Sequence, residues 1–113
     1  MKYFKKKDFD CKQTGENDMK PMFLMRLDVL RGMCGFPFIV ISGFRSVKHS
    51  AETKKAKPGQ HTKGIATDVQ VQNGIQRMIV VKFALAMGFR GIGVGKNIVH
   101  LDDRETVPVM WVY

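Results

Sequence analysis

The chain has 113 residues, 44% of them apolar and 10% aromatic, which is enough for one hydrophobic core and too little for two independent domains, so residues 1–113 are expected to form a single domain. Nineteen Lys and Arg against ten Asp and Glu give a formal charge of +9, which implies an anionic partner without saying whether it is nucleic acid, a membrane or an acidic polymer. This composition excludes a disordered basic tail, and no apolar run approaches the ~20 residues needed to span a bilayer.

The segment from Met1 to Lys7 is basic but has no apolar stretch behind it, so synthesis in the cytoplasm without a signal peptide is expected. Thr14, Gly15, Glu16 and Asn17 then form a turn-rich break. Phe23, Leu27, Leu30 and Cys34 recur at helical spacing, with Pro21 at the start and Gly35 past the end, which predicts an amphipathic helix. Phe36 to Ser42 is a continuous apolar run that reads as a buried strand. Ser46 to Lys63 is polar and lysine-rich, predicting a short helix around His49 to Lys55 and then a loop broken at Pro58 and Gly59.

Asp68 to Gln72 alternates polar and apolar, as a half-buried strand does. A second long helix is expected next, capped by Asn73, stopped by Gly88, and bearing Ile75, Met78, Ile79, Lys82, Phe83 and Ala86 at helical spacing. Phe89 to Gly95, Ile98 to Asp102 and Pro108 to Tyr113 read as strands. The order of elements predicts an α+β fold with a mainly antiparallel sheet and two main helices. Cys11 and Cys34 have no metal-binding spacing and read as two reduced thiols.

The chemistry gathers around two of the three histidines. His61 lies in a loop and is followed by Asp68 at the opening of a strand, while a period of two puts Ile98, His100 and Asp102 on one strand face. Two imidazoles and a carboxylate are a common ligand set for catalytic zinc, which leaves one position for water and lowers its pKa towards ~7. The competing reading is a pair of surface histidines. Arg45, just after the first strand, offers a guanidinium fork to a substrate carboxylate or a developing oxyanion, or else an ordinary surface ion pair.

Taken together, Ser42-Gly43-Phe44-Arg45-Ser46, His49, Gln60-His61-Thr62-Lys63-Gly64-Ile65-Ala66-Thr67-Asp68, Gly91-Ile92-Gly93-Val94 and Val99-His100-Leu101-Asp102 resemble the zinc D-Ala-D-Ala peptidase family. Phe9-Asp10-Cys11, Gly35-Phe36-Pro37-Phe38 and Val109-Met110-Trp111-Val112-Tyr113 extend the likeness to its small single-domain members, found in bacteria and phage endolysins. The resemblance implies the α+β fold shared with hedgehog signalling domains, and zinc held by His61, Asp68 and His100. It further implies that Arg45 contacts the substrate or its oxyanion, with His49 beside it, and that the bonds cleaved lie in peptidoglycan stem peptides or cross-links.

There are departures from the family pattern. Many relatives carry an acidic general base three positions before the second histidine, where this chain has Asn97, and Gly59 stands where serine is common. Asp102 is the available substitute base, with orientation of the His100 imidazole as its rival role. His49 is as well suited to packing or to capping the short helix as to binding substrate.

The resulting expectation is a zinc-dependent metallopeptidase, a D,D-carboxypeptidase, D,D-endopeptidase or L-Ala-D-Glu endopeptidase, acting at the bacterial wall as a monomer and suited to a phage endolysin. The alternative is a catalytically silent zinc-containing wall-binding module. Lys48, Lys54, Lys55, Lys57 and Lys63 would attract the anionic wall, or simply form a solvated face. Nucleic acid is not expected as a partner, because no stacking platform, helix-turn-helix or zinc-finger spacing is present.

Overall fold

A computed structural model describes residues 1–55, 57 and 59–113, so the expected break at Pro58 lies outside the described residues. The elements in chain order are a 3-10 turn at Lys6–Phe9, α1 (Pro21–Cys34), β1 (Ile39–Ser42), α2 (Ser50–Thr53), β2 (Ala66–Gln70), α3 (Gly74–Met87), β3 (Gly91–Val94), β4 (Ile98–Asp102) and β5 (Val109–Val112). The strands form one sheet in the order β1-β2-β4-β3-β5. Neighbours pair antiparallel except β5, which runs parallel to β3. The fold is therefore α+β with a mixed sheet and, beside the single-turn α2, two long helices.

α1 starts on Pro21, whose missing N–H costs nothing at that position, and ends at Gly35 in the left-handed region with φ 80°. The expected face is the buried one: Phe23, Leu27, Leu30 and Cys34 all lie in the core. Each fully buried leucine contributes roughly 1.5–3 kcal/mol. The Asp28 carboxylate, also buried, accepts the N–H groups of Lys2, Tyr3 and Phe4 at 2.9, 2.8 and 3.2 Å and ties the amino-terminal segment to the helix.

The sheet register separates two faces. Val69 pairs with Val99 and Ile92 with Leu101, and these residues join Phe23, Leu27, Val80 and Ala84 of the helices in one core. On the opposite face Asp68 pairs with His100, Ala66 with Asp102, and His100 with Gly93. The alternation expected for Ile98–Asp102 thus holds, with Val99 and Leu101 in the core and His100 and Asp102 facing away from it.

Three expectations change. β1 is an edge strand rather than a buried one: Ile39 and Ile41 are exposed, and the register slips between Val40 and Ser42. β2 is buried on both faces rather than one, because it lies second in the sheet and its Asp68 face is covered by the His61 and Arg45 side chains. α3 has the predicted ends, Asn73 Oδ1 accepting from Gln76 N at 2.9 Å and Gly88 at φ 81°, but its fully buried residues are Val80 and Ala84, while Ile75 and Met78 are exposed. The helix is apolar on nearly every side, so its sequence period selects no face.

Candidate metal centre

His61 is carried by the segment between α2 and β2, and Glu52 of α2 holds that segment down. Its buried carboxylate accepts from Lys55 Nζ at 2.9 Å, Gly59 N at 3.0 Å and Thr62 Oγ1 at 3.0 Å. Burial pushes the Glu52 carboxyl up, but these donors outweigh it and bring the pKa down to about 2. His61 Nδ1 lies 2.8 Å from the Gly43 carbonyl oxygen. A carbonyl can only accept, so Nδ1 carries a hydrogen, and Nε2 is the nitrogen turned towards Asp68 Oδ2, 3.3 Å away.

His100 is anchored in the same manner from the other side. Its Nε2 is 2.7 Å from Asp102 Oδ2, and its Nδ1 is 2.9 Å from Asp68 Oδ1. Each imidazole thus has one nitrogen held by an outer partner and the other turned towards Asp68. One donor atom from each of His61, Asp68 and His100 falls within 4.8 Å of the others, and all three residues are buried. This is a set that can hold a metal ion: two nitrogens and a carboxylate oxygen suit zinc, and each histidine has the outer hydrogen-bond partner that metal ligands use.

The electrostatics match that reading. Burial disfavours the His100 imidazolium, but the Asp102 and Asp68 carboxylates outweigh it and raise its pKa. Burial likewise pushes the Asp68 carboxyl up, and His100 and His61 bring it well below the usual carboxylate range.

Asp102 is fully buried and fully engaged. Besides His100, it accepts from Arg104 N at 3.0 Å, Nε at 3.0 Å and Nη2 at 2.7 Å. Burial opposes its ionisation, but His100 and Arg104 hold its carboxyl well below the ordinary range. Two glycines of β3 make room for this layer. A Cβ at Gly91 would overlap both Asp102 carboxylate oxygens, and one at Gly93 would lie 2.5 Å from Trp111 Cε2 and Nε1. Trp111 crosses over Gly93 to pack against His100 in a tilted arrangement, centroids 4.9 Å apart, with the Arg104 guanidinium 5.1 Å from the indole centroid.

These groups open on a cleft of about 560 Å³, lined among others by Arg45, Lys55, His61, Asp68, His100 and Trp111. Arg45 lies where the sequence suggests, at the end of β1, donating Nε to Ser42 Oγ at 3.1 Å and Nη2 to Asp68 Oδ2 at 3.3 Å. His49 is not brought to the cleft lining: it caps α2, its Nδ1 accepting from Ala51 N at 3.0 Å. Asn97 is exposed, and its carbonyl accepts the Val71 N–H at 2.9 Å. Arg104 and Trp111 were not singled out from the sequence as members of the site. An arginine two residues beyond Asp102, hence at the same strand phase, was the available signal for Arg104; Trp111 arrives only through the parallel pairing of β5 with β3.

In comparison with known proteins, residues 2–102 match the model of a family described as Peptidase M15. No curated protein matches the chain.

Proposed function

The chain belongs to the peptidase M15 family, and from that premise we propose that residues 1–113 form one catalytic domain, a zinc-dependent peptidase acting on stem peptides or cross-links of bacterial peptidoglycan. The observation that carries the zinc assignment is the convergence of His61, Asp68 and His100, each imidazole held by an outer partner that leaves one nitrogen for a cation. Zinc bound there would supply a Lewis acid that polarises a scissile carbonyl and acidifies water.

The protein's own groups have separable roles in this reading. Gly43 and Asp102 set the tautomers of His61 and His100, and Arg104 keeps Asp102 ionised and immobile. For Asp102 the geometry favours orienting His100 over accepting a proton from substrate water, since every hydrogen-bonding direction found is already taken and the residue has no exposure. Arg45 is the cation placed to bind a substrate carboxylate or the oxyanion, because it lines the cleft with its guanidinium already oriented by Ser42 and Asp68. The exposed lysines Lys48, Lys54, Lys55, Lys57 and Lys63 favour approach to an anionic wall, and a role as a phage endolysin fits the resemblance in the motifs.

A second reading, a catalytically silent zinc-containing wall-binding module, is favoured by one observation. Among the described residues, Asp68 is the one carboxylate lining the cleft, and Asn97 stands where many relatives carry an acid. Digestion of purified peptidoglycan with mass spectrometry of the fragments separates the two. New amino groups that disappear with chelator establish the peptidase and name the bond; binding without cleavage establishes the module. Metal content near one per chain in wild type and absent in His61→Ala supports the ligand set, and equal content in both refutes it.

A further inference from the structure

α3 is a surface helix with the composition of an enclosed one. Its residues Gly74–Met87 include two charged side chains, Arg77 and Lys82, and only Val80 and Ala84 are fully buried. A helix apolar on nearly every side normally lies within a core or a membrane, and this one is too short to cross a bilayer. Ile75, Met78 and Leu85 project outward with 73%, 69% and 56% of their surface exposed.

β5 extends this surface. α3 packs over β3 and β4, which leaves Met110 and Val112, on the helix side of the edge strand, largely uncovered. Two notches join helix and strand. One, of about 180 Å³, lies between Leu85, Phe89, Pro108 and Met110; the other, of about 280 Å³, between Arg77, Val94, Lys96 and Val112.

The rim of this face is positive and uncompensated. Arg77 Nη1 donates to the Lys96 carbonyl at 2.7 Å, and Arg90 donates Nε and Nη2 to the carbonyls of Arg104 and Thr106 at 2.9 and 2.8 Å. Carbonyls fix these guanidiniums without neutralising them. Among the described residues no ion pair involves Arg77, Lys82, Arg90 or Lys96, and neither α3 nor β5 contains an acidic residue. Two copies meeting through this face would oppose like charges, whereas an anionic lipid surface satisfies both features, taking the apolar side chains at the acyl boundary and the cations among phosphates.

We propose that the α3–β5 face docks on the surface of an anionic lipid bilayer. The metal-centre cleft opens on the opposite face of the sheet and stays accessible in that orientation. Each of the four cations strengthens binding by about fivefold near a charged membrane.

The test is co-sedimentation of the full chain with vesicles of equal parts phosphatidylglycerol and phosphatidylcholine, and with phosphatidylcholine alone. Binding to the anionic vesicles only, weakened by salt, is expected. The double variant Met78→Glu/Leu85→Glu should lose about tenfold or more in affinity with unchanged thermal unfolding, while Ile39→Glu on the far edge strand binds as wild type. Absence of binding, equal binding to both vesicles, or equal loss in Ile39→Glu overturns the proposal. So does a concentration-dependent dimer abolished by the double variant, which would assign the face to a second copy.

Discussion

A single methyl group at position 91 tests how the metal centre is held. Gly91 is paired with Asp102 across β3 and β4, and a Cβ there would overlap both carboxylate oxygens. The carboxylate has nowhere to go. It is fully buried and bonded to His100 Nε2 at 2.7 Å and to three Arg104 donors at 3.0, 3.0 and 2.7 Å. Relieving the overlap breaks at least one charge-assisted hydrogen bond, costing about 1.5–3 kcal/mol, on top of about 1–3 kcal/mol for overpacking. Alanine recovers about 0.4–1 kcal/mol by restricting the unfolded chain, so Gly91→Ala should destabilise the protein by about 2–5 kcal/mol. Because Asp102 orients His100, zinc affinity should fall about 10- to 100-fold as well.

Gly93→Ala is the matched control. Its Cβ meets the Trp111 indole at 2.5 Å, but Trp111 is partly exposed on an edge strand and can swing outward, so the cost should stay near ~1 kcal/mol with zinc affinity close to wild type. Urea unfolding of the metal-free chains gives the first quantity, and competition with a chromophoric chelator gives the second. If Gly91→Ala binds zinc as tightly as wild type and unfolds at the same urea concentration, Asp102 is not the fixed anchor described.

Three other perturbations address the surrounding structure. Asp28→Asn should cost about 1–3 kcal/mol. Burial pushes the Asp28 carboxyl up, but the N–H groups of Lys2, Tyr3 and Phe4 bring it lower on balance. Its stabilisation is therefore complete above the ordinary value of ~3.9 and is lost as pH falls through the lower folded one; a wild-type-to-variant difference that does not shrink in acid contradicts this. Glu52 follows the same sign, its contribution complete above ~4.3 in the unfolded chain and lost as the pH falls towards about 2. At neutral pH Glu52→Gln should loosen the loop carrying His61 and weaken zinc binding about tenfold, read by chelator competition. Burial pushes the Cys34 thiol to about 11, so the native protein should resist alkylation there and the urea-unfolded protein should not, as mass spectrometry can show.

Much of this architecture was legible because local physics carries it. Pro21 and Gly35 bound α1, Asn73 and Gly88 bound α3, and the period of two in Ile98–Asp102 places His100 and Asp102 on the face away from Val99 and Leu101. Where the pattern was degenerate, the reading failed. The unbroken apolar run at Phe36–Ser42 suits a buried or an edge strand equally, and α3 has too few polar residues for its period to name a buried side.

The residue types, their spacing and the turns between them determined by themselves the order of helices and strands, the histidines and carboxylate available for a metal, and the positive charge. Tertiary structure alone decided how those groups face one another. The pairing of β2, β4, β3 and β5 sets Asp68, His100, Gly93 and Trp111 in one row, and the missing side chains at Gly91 and Gly93 let Asp102 and Trp111 close around the imidazole. Such contacts join strands far apart along the chain. They depend on register and on the space a neighbour leaves empty, and no periodicity along one segment encodes either.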